Sequence, residues 1–147
     1  MPLSYSGCVR QELSELVVRT DGRALYDVTA RVADWLREIS AGRGLLTLLV
    51  RHTSASLLIQ ENADPDVLRD LETFLSRLVQ DGDPLFAHTA EGPDDMSAHV
   101  RSALTQTSLS IPVDRGEMCF GIWQAVYLYE HRLARHERRV ALHYLGT

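Results

Sequence analysis

The sequence contains no lysine: all 15 of its basic residues are arginine. That absence excludes a Walker-type phosphate loop, a Schiff base on a lysine side chain and a lysine general base. Arginine remains available as a bidentate clamp for phosphate or carboxylate, although codon usage in a GC-rich genome produces the same all-arginine surface. Cysteine is scarce as well. Cys8 and Cys119 are too few for a disulfide framework and lack CxxC spacing, so they read as buried small side chains. With a formal net charge of −5 the chain also lacks the basic excess that drives phosphate-backbone binding, which argues against a general nucleic-acid partner. No apolar run approaches the roughly 20 residues a membrane span needs. The start, Met1-Pro2-Leu3-Ser4-Tyr5, has neither the basic stretch nor the apolar core of a secretory signal. The expected location is cytoplasmic, away from membranes.

What is present suffices for one core. A chain of 147 residues with 45% apolar content is expected to form a single domain over residues 1–147. Loose alternation from about Val9 to Thr20, the turn signal Asp21-Gly22 and then Ala24-Leu25-Tyr26 predict an opening hairpin. Val28, Val32, Trp35, Leu36 and Ile39 fall at helical spacing, with Asp27 as a cap and Gly42 or Gly44 as the stop. Leu45 to Val50 and Ala55 to Ile59 are apolar runs suited to strands buried on at least one face. Asp64-Pro65 starts a helix whose buried stripe is Leu68, Leu71, Leu75 and Leu78. Asp81-Gly82-Asp83-Pro84 ends it, Leu85 to Gly92 is loop, and a shorter helix begins near Pro93 or Asp94 with Met96, Val100, Ala103 and Leu104 inward. Ser108 to Val113, Met118 to Tyr129 and Arg138 to Leu145 read as strands, with a turn at Asp114-Arg115-Gly116-Glu117. Three helices among about seven or eight strands, in no strict βαβ order, predict an α+β fold.

Four of the six histidines stand in short segments crowded with other reactive groups. His52 leads into Thr53, Ser54 and Ser56, whose hydroxyls suit an anionic oxygen, while its imidazole suits metal ligation, proton transfer or an ordinary hydrogen-bonded place in the core. His88 precedes Glu91-Gly92-Pro93-Asp94-Asp95. Asp95 and His99 lie four apart on one helix face, a spacing that fits a carboxylate orienting an imidazole, two ligands of one ion, or a surface pair that merely stabilises the helix. By the two-residue period, Glu130 shares a face with Val126 and Leu128, so it needs an arginine, a histidine or a metal beside it unless the strand frays into water there. His131 falls on the opposite face. Glu61-Asn62-Ala63-Asp64 offers further oxygen atoms, with Asp64 also placed to cap the helix that follows.

Taken together, His52-Thr53-Ser54-Ala55-Ser56-Leu57, Glu61-Asn62-Ala63-Asp64-Pro65, His88, Glu91-Gly92-Pro93-Asp94-Asp95-Met96, His99, Gly121-Ile122-Trp123-Gln124 and Glu130-His131-Arg132 resemble the YjbQ-like family, whose members are described as secondary thiamine-phosphate synthases. The match runs in order over nearly the whole chain. It departs at Ser97, where such proteins usually have proline. The resemblance implies a curved mixed or antiparallel β-sheet or sandwich with about three helices, commonly a homotrimer, with the shared polar residues in a pocket near a subunit boundary. It further implies a metal-dependent transferase acting on a phosphorylated small molecule, nominally joining an aminopyrimidine diphosphate to a thiazole phosphate with release of pyrophosphate. On that basis His88, His99 and His131 are the expected ligands of a divalent ion, zinc or magnesium/manganese. Asp95 and Glu61 are expected to support them, with His52 and Glu130 catalytic. Thr53, Ser54, Asn62, Gln124 and Arg132 are expected to bind substrate and its phosphate. A hydrolase of phosphate or amide bonds, or a protein that binds a metal or phosphometabolite without turnover, uses the same residue types.

Overall fold

Every strand pairing in the structure, a computed structural model that describes residues 7–147, is antiparallel. In chain order the elements are β1 (Arg10–Asp21), β2 (Ala24–Asp27), α1 (Thr29–Glu38), β3 (Gly44–Val50), β4 (Ala55–Glu61), α2 (Pro65–Leu78), α3 (Asp95–Leu104), β5 (Ser108–Asp114), β6 (Glu117–Met118), β7 (Gln124–Glu130) and β8 (Arg135–Gly146). They form a five-stranded sheet of order β1-β8-β3-β5-β6 and a three-stranded sheet of order β2-β7-β4. This is the α+β architecture expected from the sequence.

The core follows from alternation. Leu46, Leu48 and Val50 of β3, Leu109, Ile111 and Val113 of β5, and Val140, Leu142 and Tyr144 of β8 turn one face of the large sheet inward. Val32 and Leu36 of α1 meet them, together with Leu57 of β4 and Val126 and Leu128 of β7. Strand β7 is buried on both faces, because Tyr129 on its other side lies beneath α2, where its hydroxyl donates to Glu72 at 2.5 Å. Helix α3 closes onto β4 through Ser102, whose hydroxyl donates to the Ala55 carbonyl. The small sheet is therefore a layer between the core and two helices, and its ends are where polar groups gather.

Several local expectations are corrected. Asp21-Gly22 bends the chain but makes no hairpin, since β1 pairs with β8 over its whole length while β2 pairs with β7 in the other sheet. Gly22 has φ 111°, and a Cβ there would stand 2.9 Å from the Leu133 carbonyl oxygen, so the bend needs glycine. Met118 to Tyr129 is not one strand. It breaks between β6 and β7, where the chain leaves the large sheet for the small one. Helix α1 ends at Glu38 and the chain turns at Ser40, with φ 53°, rather than at a glycine; Val28, not Asp27, holds the N-cap position, although the Asp27 carboxylate accepts the Thr29 amide. The cap at Asp64 also forms, accepting from the Asp66 amide at 2.9 Å.

The helix faces differ more. On α2 the leucine stripe is only half-buried and Leu78 is exposed. On α3 the inward face is Asp95, Ser97, Ala98, Arg101 and Ser102, whereas Ala103 and Leu104 point to solvent. Small side chains let the helix approach β4 closely, and buried Arg101 donates through Nη1 and Nη2 to Glu72, Ser76 and the Val79 carbonyl, while its Nε finds no partner among the described residues. Cys8 and Cys119 are both exposed, not buried. No helix among the described residues is long and apolar enough to cross a membrane.

Candidate metal centre

The loop after α2 and the first two turns of α3 bring His88, Glu91, Asp95 and His99 together, with one ligand-type atom from each lying within 4.8 Å of all the others. Asp95 is the hub. Its Oδ2 lies 2.7 Å from His88 Nε2 and 3.2 Å from His99 Nε2, while Glu91 approaches His88 Nε2 at 3.4 Å. The four-residue spacing on α3 stacks Asp95 and His99 on one face, as the sequence indicates, and the loop folds His88 over them with ring centroids 5.7 Å apart.

Two supports hold this cluster from behind. All three nitrogens of the Arg132 guanidinium are engaged: Nε with Asp94 at 3.1 Å, Nη1 with Asp95 Oδ1 at 2.5 Å and Nη2 with the Glu91 carbonyl at 2.9 Å. The loop itself is anchored through Asp81, which takes two hydrogen bonds from Arg23 and one from the Ser97 hydroxyl. Ser97 thus has a partner in the loop.

A further contact fixes one proton of His99. His99 Nδ1 lies 3.1 Å from the Thr53 carbonyl, which can only accept, so Nδ1 carries a proton and Nε2 is the nitrogen directed at Asp95. A ring held by a backbone carbonyl on one nitrogen, with the other directed at a carboxylate and a second imidazole, is an arrangement that suits a metal-ligating histidine. Electrostatics match it. Burial alone would raise the Asp95 carboxyl pKa, but the hydrogen bond from His88 and the charge of Arg132 outweigh it and the pKa is lowered. His88 is pushed the other way by its hydrogen bond to Asp95, so in the absence of a cation it holds a proton more tightly than an ordinary imidazole.

The donors are two imidazoles and two carboxylates, a mixed nitrogen and oxygen set that fits a divalent ion such as zinc or manganese better than an all-oxygen calcium site. Two of its members, His88 and Glu91, are exposed, so the cluster is open on one side. Beside it, Pro84, Phe86, His88, Thr89 and Pro93 line a cleft of about 320 Å³. A larger groove of about 590 Å³ on α2, around Phe74 and Leu78, shares none of these residues and is lined by no imidazole and by Asp70 as its carboxylate.

The remaining sequence-predicted residues divide. His131 does not join the cluster: its side chain is fully buried, with Nε2 2.8 Å from Ser56 Oγ and its ring 4.4 Å from that of Tyr129. Burial and the nearby Arg101 charge push its pKa down to about 3, so it is neutral. Glu130 is also fully buried, and the partner it needs is Arg138, in a two-bond pair at 2.6 and 2.7 Å. Thr20 and the Arg132 amide donate to the same carboxylate. Burial would raise the Glu130 pKa, yet these donors lower it, so the group stays ionised as a tie between the sheets. Arg132 is committed to Asp94 and Asp95 and leaves no free fork for a phosphate.

Glu61, Asn62 and Gln124 lie elsewhere. Ala55 pairs with Glu130 and Glu61 with Gln124, so these three residues stand at the opposite end of β4 and β7, about 20 Å along the strands. Within one chain they do not meet the histidines. His52 and Thr53 do stand at the near end, with Ser54 buried behind them. Sequence reasoning gave Glu91 only the part of added negative charge near His88, not of a ligand, and missed Arg138. The latter was visible in alternation, since Arg138 shares the parity of Val140, Leu142 and Tyr144 and so must point inward.

Comparison with known proteins agrees with this fold. The UPF0047 protein of Synechocystis sp. is 45% identical over 144 residues, covering 98% of each chain. The UPF0047 protein YjbQ of Escherichia coli O157:H7 is 40% identical over 126 residues, covering 85% of this chain and 91% of its own. Among solved structures, a protein of Aeropyrum pernix K1 superposes with a TM-score of 0.84 at 31% identity, covering 92% of this chain and 99% of its own. A protein of unknown function from Sulfolobus solfataricus P2 shares the fold, with a TM-score of 0.86 at 20% identity over 95% of this chain and all of its own. The family model described as UPF0047 protein YjbQ-like matches residues 14–147, and with these relatives it establishes that the chain belongs to the UPF0047, YjbQ-like family.

Proposed function

We propose that this chain is a metal-dependent enzyme acting on a phosphorylated small molecule, with the union of an aminopyrimidine diphosphate and a thiazole phosphate, releasing pyrophosphate, as its nominal reaction. The observation that carries the metal in this reading is His99: its Nδ1 proton is held by the Thr53 carbonyl, which leaves Nε2 as the nitrogen directed at the cluster beside Asp95. His88, Glu91, Asp95 and His99 would hold the ion. A divalent ion there supplies Lewis-acid stabilisation of charge growing on phosphate oxygens as an anionic group leaves. The chain's own part is positional. Arg132 holds Asp95 in place, Asp81 and Arg23 hold the loop, and Pro84, Phe86 and Pro93 offer an apolar wall for the carbon skeleton beside a polar centre for its phosphate.

A homotrimer in the cytoplasm belongs to the same reading. Phe74 and Leu78 on α2 and Ile122 and Trp123 before β7 are exposed apolar side chains that a neighbouring copy would cover. It would also let Glu61, Asn62 and Gln124 of one copy approach the histidines of the next.

The test is an incubation of the metal-loaded protein with the two phosphorylated substrates, and separately with phosphate esters and amides alone. Pyrophosphate released only when both substrates are present, and lost on chelation, is the expected result. Product from a single ester or amide would make the protein a hydrolase, and binding without product across both sets would make it a binding protein.

A further inference from the structure

We infer that His52 is held as a neutral imidazole with its proton on Nε2, and that this N–H is a fixed donor to an anionic oxygen of the ligand at the metal centre. The inference rests on the metal reading above and adds to it what recognises the anion.

The argument begins with hydrogen-bond polarity. The Ser54 backbone N–H can only donate, and it lies 3.1 Å from His52 Nδ1, so that nitrogen must present a lone pair. Ser54 Oγ lies 3.0 Å from the same nitrogen. The hydroxyl in turn accepts from Arg138 Nη2 at 3.0 Å, and a guanidinium never accepts, so the serine proton is free to point at His52. Arg138 is itself fixed by the buried Glu130 carboxylate. The order Glu130, Arg138, Ser54, His52 thus has one direction of donation at its outer end, and the neutral ring that satisfies it has its proton on Nε2.

Protonating Nδ1 as well would set two N–H groups against each other. Burial, and then the Arg138 charge, also lower the His52 pKa, which keeps the ring neutral. Two consequences follow. His52 is no metal ligand through Nε2, because a ring without a proton on either nitrogen would be an imidazolate. It is no general base either, because its lone pair is spent on Ser54. What remains is a donor.

Its position makes the donor useful. Thr53, the next residue, accepts from His99 Nδ1 through its carbonyl while Ser54 donates to His52 Nδ1, so the same turn orients both rings and sets His52 beside the cluster. Among the described residues His52 Nε2 makes no hydrogen bond to protein. A phosphate or other oxyanion bound to the ion would take one oxygen toward it. Thr53 and Ser54 then serve by orienting rings, whereas the sequence suggested that their hydroxyls bind the phosphate.

The experiment uses the full chain. Nitrogen-15 NMR of the histidine rings, with His52→Gln identifying the signal by its loss, reads the tautomer directly. Inorganic phosphate is then titrated calorimetrically into the manganese-loaded protein, into His52→Gln, whose amide N–H replaces Nε2–H, and into His52→Ala. The expected results are an Nε2–H tautomer, phosphate affinity reduced about tenfold or more in His52→Ala, the scale of one hydrogen bond to a charged group, and affinity largely restored in His52→Gln. An Nδ1–H tautomer, undiminished phosphate binding in His52→Ala, or a metal-loaded wild type that binds no phosphate would overturn the inference while leaving the metal site standing. Failure of the wild type to take up metal would instead remove the site on which the donor acts, and both readings would fall together.

Discussion

Asp95 stands between two imidazoles and a guanidinium, and its geometry decides whether His88 and His99 converge. Arg132 is the group that keeps it there. Arg132→Lys retains one positive charge but loses the planar fork that grips Asp94, Asp95 and the Glu91 carbonyl at once, so divalent-ion affinity should fall about 10- to 100-fold, the scale for partners of metal ligands. Titration of cobalt(II) followed by its visible absorption checks this. His131 makes a different prediction. An unfolded chain protonates this ring near its ordinary pKa of 6.5, whereas the folded chain refuses the proton until about 3. Between those values the unfolded state binds more protons, so stability falls as the pH drops, by about 1.4 kcal/mol per unit from this group. Urea unfolding between pH 7.5 and 4.5 should show that slope, and His131→Gln, which keeps an amide for Ser56, should flatten it. Of the residues, Glu130 was legible: its place on an apolar face demanded a cation, and Arg138 is that cation. His131 was not, because its motif neighbours Glu130 and Arg132 are both functional in type while alternation sends its own side chain beneath α2.

At the level of elements, β7 and β8 are joined by the Glu130–Arg138 pair, a link between the two sheets that also carries Thr20 of β1 and Ser54. Removing one member strands the other in a fully buried site, so Glu130→Ala should cost about 3 to 5 kcal/mol of stability in urea unfolding. Replacing both, as Glu130→Leu with Arg138→Met, should cost less than the single change, since neither variant side chain leaves a buried charge. A double variant no more stable than Glu130→Ala would contradict that assignment. The strands and helices themselves were largely legible from period and turn residues. Pairing was not, because Asp21-Gly22 has hairpin residues whether the next strand joins the same sheet or the other one. The inward face of α3 escaped for a related reason: its contact with β4 selects small and hydrogen-bonding side chains, so Ser97 and Ser102 are buried while Leu104 is exposed.

For the molecule as a whole, the two sheets and three helices set the His52 turn, the loop before α3 and α3 itself at one end of the small sheet, and leave Glu61, Asn62 and Gln124 at the other. One chain therefore brings together a group that could hold an ion but not the whole constellation its motifs suggest, and no sequence period states whether further copies complete it. Sedimentation equilibrium should give a mass three times that of one chain; a monomer would remove the proposed neighbour's contribution. The most direct test of the metal centre is the divalent-ion content of the purified protein, compared with His99→Ala and Asp95→Asn after circular dichroism has shown both variants folded. About one ion per chain in the wild type and a loss of at least tenfold in affinity in each variant is the predicted outcome. Equal metal uptake by folded His99→Ala, or none by the wild type, would contradict a centre built on His88, Glu91, Asp95 and His99.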